Sequence, residues 1–167
     1  LIHGFLGSRR DFSDLGARLA AGGYHVRLAR LPGHGTTPRD FAARSPDEML
    51  DGARDELTSL RSRYRSVTVV GFSMGGSLAT LLAAEGGVDR LVLIAPYYGV
   101  TYRWFYVLRP EWWNAALGWA IPYVIRSDRF VKVNRPEARK EIYAYHVVPT
   151  RGVATLVELG RRARQPR

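Results

Sequence analysis

The sequence predicts an α/β protein built on a mostly parallel sheet with helices on both faces. Three observations carry that expectation: short apolar runs without alternation, stretches of helical period between them, and Gly- or Pro-rich breaks at the junctions. The 167 residues have the size of one domain, and a hydrophobic content of 46% is enough to bury a core.

Leu1 and Ile2 run straight into His3-Gly4, so the chain reads as entering a strand midway, with a truncated start. Across residues 11–22, Phe12, Leu15 and Leu19 recur at spacings of three and four, which predicts a helix ended by Gly22-Gly23. Residues 24–31 read as a second strand, Val26 and Leu28 alternating with His25 and Arg27 until Pro32-Gly33 breaks the run.

Ser45-Pro46-Asp47-Glu48 is a strong helix start: a serine cap, proline at the first helical position, and glutamate three residues after the serine. The helix that follows keeps Leu50, Ala53, Leu57, Leu60 and Tyr64 on one stripe and its charges on the other face. Val67-Thr68-Val69-Val70 predicts a strand, residues 74–85 a helix of small apolar residues, and residues 88–95 a strand buried on both faces.

After Pro96 the composition turns aromatic, with Tyr97, Tyr98, Tyr102, Trp104, Phe105, Tyr106, Trp112, Trp113 and Trp119 close together. Residues 97–160 are therefore expected to form a mainly helical insertion over a core made by residues 1–96, with 161–167 starting a return to that core. The most apolar part, 112–125, is too short to span a bilayer and contains Asn114 and Pro122.

The absence of cysteine excludes disulfides, thiolate catalysis and the usual zinc frameworks, and no metal or organic cofactor is implied. The net charge of +10 is almost all arginine, Lys132 and Lys140 being the only lysines. These arginines are scattered from Arg9 to Arg167 without a basic run or a nucleic-acid motif, so no nucleic-acid partner is expected. No charged leader precedes an apolar stretch, and the expected location is cytoplasmic.

Chemistry enters at Gly71-Phe72-Ser73-Met74-Gly75, a G-x-S-x-G pattern preceded by an apolar strand and followed by a helix. Such a pattern makes a strained turn that lifts a serine hydroxyl clear of the sheet, the glycines avoiding clashes with neighbouring backbone. Ser73 is thus the candidate nucleophile. The Met74 N–H, at the start of the following helix, is one candidate donor to a developing oxyanion, and the Phe5 N–H, in the loop after the first strand, is the other. His3 is read as a structural loop residue.

Four motifs occur together in order: His3-Gly4-Phe5-Leu6-Gly7-Ser8, Leu31-Pro32-Gly33-His34-Gly35, Gly71-Phe72-Ser73-Met74-Gly75-Gly76 and Leu93-Ile94-Ala95-Pro96. In this the chain resembles α/β hydrolases of the carboxylesterase and monoacylglycerol-lipase type, related to the serine aminopeptidases. The resemblance covers residues 1–96 and continues more loosely as a cap. It implies an α/β-hydrolase fold with its C-terminal strands missing, and a small-molecule ester substrate cleaved through an acyl-enzyme on Ser73. The aromatic cap suits an apolar acyl chain.

The family order is serine, acid, histidine, and the segments expected to carry the last two are absent, so the chain itself is expected to be nearly inert and, with an open sheet edge, poorly soluble. His146, Asp89 and Asp128 do not match the acid or base positions, and His34 is expected to shape its loop. Two other readings stay open: a non-catalytic binding protein that keeps the front of the fold, and attachment to a membrane surface through the basic, Trp-rich cap. Oligomeric state is not legible in the sequence.

Overall fold

A computed structural model describes residues 1–99, 120–125, 145 and 147–165. A short 3-10 turn at Arg9–Phe12 leads into α1 (Ser13–Ala21); α2 (Pro38–Ala42) and α3 (Pro46–Arg61) precede β1 (Thr68–Phe72), α4 (Met74–Glu85) and β2 (Arg90–Ile94). A second strand pair, β3 (Tyr123–Ile125) and β4 (Val147–Pro149), leads into α5 (Thr150–Arg164).

The local signals behave as their chemistry requires. At α3, Ser45 accepts from the Glu48 N–H while the Glu48 carboxylate accepts from the Ser45 N–H, completing the capping box, with Pro46 at the first helical position. A cap of this kind is worth about 1 kcal/mol. Met49, Leu50, Ala53 and Leu57 bury the inner stripe. The Ser8–Asp11 capping box starts the first turn in the same manner, and Gly22 follows α1 as its C-cap.

β1 and β2 pair in parallel with Gly71 opposite Leu93, and Ile2 adds a parallel bridge to Gly71 on the other side of β1. The Ile2 N–H donates to the Val70 carbonyl at 2.8 Å, and the Phe72 N–H donates to the Ile2 carbonyl at 3.0 Å. Residues 24–31, expected as a strand, are not one. Beside them Leu1 makes a single parallel step, its terminal amine donating to the Arg27 carbonyl at 2.7 Å and its carbonyl accepting from the Ala29 N–H at 3.0 Å. Two bonds give the segment a place in the sheet order but no ladder. The alternation itself holds, with Val26 and Leu28 half-buried and His25 and Arg27 exposed.

β2 corrects a second expectation. It was expected to be covered on both faces, yet Leu91, Val92 and Ile94 are 38–46% exposed. Among the described residues β1 is its one strand neighbour, and the apolar run without alternation has no second layer of side chains over it.

α4 lies at the centre of the packing, touching β1, β2, α3 and α5. Its Met74, Leu78 and Ala79 are fully buried, and Leu159 and Ala163 of α5 join the same core. One ion pair ties the last helix to α3, Arg162 reaching Asp47 at 2.6 Å, while Glu158 of the same helix holds the Arg162 side chain at 2.8 Å. Such exposed pairs add little each, so the buried α4–α5 face supplies most of the attachment.

Within the stretch expected as a helical insertion, the described residues form the antiparallel β3–β4 pair, with Val124 opposite Val148, and α5. Residues 100–119 and 126–144, which hold most of the aromatic cluster and Asp128, lie outside the described residues, as does His146. Among the described residues no helix is long and apolar enough to cross a membrane.

Candidate active site

Ser73 sits between β1 and α4 with φ 53° and ψ −116°, a conformation that costs a non-glycine residue about 1–3 kcal/mol. Backbone bonds hold it there. Its N–H donates to the Ile94 carbonyl at 3.0 Å, and its carbonyl accepts from the Gly76 and Tyr97 N–H groups, both at 2.9 Å. The hydroxyl has no hydrogen-bond partner among the described residues, and the side chain is half-buried at the carboxyl end of the sheet.

The glycines of the motif are contact points between backbones. A Cβ on Gly71 would strike the Gly75 carbonyl, and one on Gly75 would strike the carbonyl oxygens of Ile2 and His3. The Ile2–His3 segment, β1 and the start of α4 therefore approach closer than any side chain allows, which carries the Gly4-Phe5 loop up to Ser73. A Cβ on Gly4 would stand 3.2 Å from that of Ser73.

Among the described residues three non-glycine residues have positive φ: Leu6, Ser73 and Ala95. Each lies just past the carboxyl end of one of three neighbouring strand segments, where ligands bind in open α/β sheets. Met74, the first residue of α4, and Phe5 both have main-chain N–H groups that donate to no acceptor among the described residues. The sequence singled out Ser73, Met74 and Phe5, and the fold brings their segments together.

Neither histidine near the site is hydrogen-bonded to the Ser73 hydroxyl, and both are buried. His3 is 1% exposed with Nδ1 at 3.0 Å from the Gly4 carbonyl, and His34 is 2% exposed with Nδ1 at 3.1 Å from the Pro32 carbonyl. A carbonyl only accepts, so each Nδ1 carries the proton. The two rings meet edge to face at 4.7 Å, and Phe41 packs against His34 at 4.8 Å and Phe5 at 5.4 Å. Burial pushes His34 down to about 3, with repulsion from His3 adding to it, and burial lowers His3 also.

The unfolded chain thus takes up a proton on His34 near pH 6.5 that the folded chain refuses. Stability contributed by the neutral ring is full above about pH 6.5 and is lost toward pH 3, at about 1.4 kcal/mol per pH unit. Asp11, whose burial raises its carboxyl, works in the opposite direction. A His34→Gln variant of the complete gene product is expected to lose about 2 kcal/mol less stability than the parent between pH 7 and 5. Denaturant unfolding at the two pH values measures this, and equal losses would remove His34 as the cause.

Asp89 is structural, its carboxylate accepting from the Val67 N–H and from Arg61, both at 2.7 Å. His25 stacks on Tyr64 at 4.8 Å. Among the described residues no three histidine or carboxylate side chains gather as a metal-binding group. The sequence reading missed Tyr145, whose hydroxyl donates to the Gly33 carbonyl at 3.0 Å and accepts from the Thr36 N–H at 2.9 Å. No motif marks it, since the contact spans 109 residues of chain.

Comparison with known proteins agrees with this fold. Two curated relatives are a thermostable monoacylglycerol lipase of Bacillus sp. (strain H-257), 35% identical over 83 residues, and a carboxylesterase of Bacillus subtilis (strain 168), 32% identical over 100 residues. These alignments take in 50% and 59% of this chain but 33% and 41% of the relatives, so the matched stretch spans well under half of either. A solved chain from work on LipS and LipT, two metagenome-derived lipolytic enzymes, superposes with a TM-score of 0.76 at 27% identity, over 97% of this chain and 63% of that one. A structure from the carboxylesterases of Nitrososphaera gargenis, at 17% identity and a TM-score of 0.55, shares the fold over 98% of this chain and 65% of its own. The sequence model of the alpha/beta hydrolase family matches residues 1–166, and the chain belongs to that family.

Proposed function

We propose that the protein containing this chain is a serine hydrolase that cleaves carboxylic esters through an acyl-enzyme on Ser73. The observation that carries the reading is the turn at Ser73, strained, pinned by backbone bonds, and presenting a hydroxyl unpartnered among the described residues. The named relatives, a monoacylglycerol lipase and a carboxylesterase, support esters as the substrate class. An apolar acyl chain fits the aromatic residues that follow Pro96.

In this mechanism Ser73 Oγ adds to the ester carbonyl, and the resulting oxyanion takes hydrogen bonds from the Met74 and Phe5 N–H groups. Collapse expels the alcohol and leaves the acyl group on Ser73. Water then adds to the acyl carbonyl and releases the acid. Both additions need a base to take a proton, and no described histidine or carboxylate hydrogen-bonds the Ser73 hydroxyl. We assign that base and its acid partner to the part of the fold that the relatives have and this stretch does not span, which leaves residues 1–167 alone nearly inert.

A fluorophosphonate probe tests the assignment in the complete gene product. It is expected to add one phosphonyl group to the tryptic peptide 66–90, at Ser73 rather than Ser66 or Ser77. Modification elsewhere, or none with an active preparation, rejects Ser73 as the nucleophile.

A further inference from the structure

Tyr145 lies two residues before β4, far along the chain from the strand ends that carry the candidate site. Its hydroxyl both donates and accepts across the loop at 33–36, bonding the Gly33 carbonyl and the Thr36 N–H. That loop carries His34, whose ring packs on His3, the residue before Gly4-Phe5. On the other side the Tyr145 ring faces Phe41 at 6.3 Å between centroids, and Phe41 packs on Phe5 at 5.4 Å.

Two short routes of buried rings thus connect Tyr145 to the segment that holds the Phe5 N–H. Phe41 cannot move away to absorb a shift. A Cβ on Gly152 of α5 would overlap its ring, and one on Gly33 would meet the Phe41 Cα at 2.7 Å, so backbone closes in from two sides. A change in the height of the 33–36 loop is therefore passed to His3 and Phe5.

We propose that Tyr145 is a positioning residue for ester hydrolysis, its hydroxyl latching the 33–36 loop so that the His34–His3 and Phe41–Phe5 contacts hold the Phe5 N–H at the oxyanion position. This rests on the reading of Ser73 and Phe5 given above. Tyr145 touches neither substrate nor the reacting atoms; it acts through the loop. The hydroxyl contributes little to folding, because without it the exposed Thr36 N–H turns to water and the Thr36 hydroxyl, which divides one proton between the Gly33 carbonyl at 3.0 Å and the Asp40 carboxylate at 2.7 Å, turns to the carbonyl while Asp40 keeps Arg44.

The test uses the complete gene product with Tyr145→Phe, which keeps the ring, and Tyr145→Ala, which removes it. Kinetics on a soluble ester are combined with inhibition by a trifluoromethyl ketone, whose tetrahedral adduct places an oxyanion against the donors. Tyr145→Phe is expected to lower kcat about tenfold with KM within about twofold, to weaken the ketone by the same factor as kcat, and to leave Tm nearly unchanged. Parental kcat and ketone affinity in Tyr145→Phe, with only Tyr145→Ala impaired, would overturn the latch and leave ring packing as the whole role. A parent enzyme that the phosphonate does not label at Ser73 would instead overturn the hydrolase reading and the latch with it.

Discussion

Replacing Ser73 by alanine in the complete gene product is expected to lower kcat for ester hydrolysis by about 10³- to 10⁶-fold, with the folded structure intact. The hydroxyl accepts and donates nothing among the described residues, so its removal breaks no hydrogen bond that holds the turn. The strain at φ 53° belongs to the backbone and remains. Alanine is also acceptable sterically, since it keeps the Cβ that already stands beside Gly4. Thermal unfolding should therefore be nearly unchanged while initial rates collapse. A variant that kept even a tenth of the parental rate would sink the acyl-enzyme mechanism.

The second large effect is expected at Gly75. A methyl group there meets the carbonyl oxygens of Ile2 and His3 and the Ile2 carbonyl carbon, all of them backbone, so no side chain can swing aside. Relief requires the start of α4 to withdraw from the Ile2–His3 backbone, against the burial of Met74 and Leu78. Overpacking a well-filled core usually costs about 1–3 kcal/mol, and a contact with fixed backbone belongs at or above the upper end. Gly75→Ala is expected to lose about 3 kcal/mol or more of stability in denaturant and, where it still folds, to lose activity at least about tenfold, because Ser73 and the Gly4-Phe5 loop move apart. Parental stability together with parental activity would show that the two backbones are not in contact.

Much of the site was legible because it depends on local geometry. The Ser45 box, the Gly71–Gly75 turn and the α4 run are each determined within a few residues, and each stands where the pattern put it. Strand 24–31 shows what the pattern does not carry: alternation describes which side chains face inward, as Val26 and Leu28 do, and says nothing of the ladder bonds that define a strand, of which residues 24–31 make two, both with Leu1. β2 is a like case, its apolar run reporting what the strand would tolerate and not what covers it. The histidine pair and Tyr145 are set by contacts between distant segments, with His3 and His34 brought ring to ring across 31 positions of sequence. Neither residue type nor spacing announces such a meeting.

The bonds that pin Ser73 also fix an order of assembly. Its strained φ is held on one side by the Ile94 carbonyl and on the other by the Tyr97 N–H, both on or just after β2. During synthesis the motif leaves the ribosome before those partners exist, and a chain that stops short of β2 can make only the bonds to the Ser73 carbonyl from Gly76 and Ser77, within the turn itself. The raised pose of Ser73 is thus completed by a strand that follows it in the chain, and belongs to the folded sheet as well as to the motif.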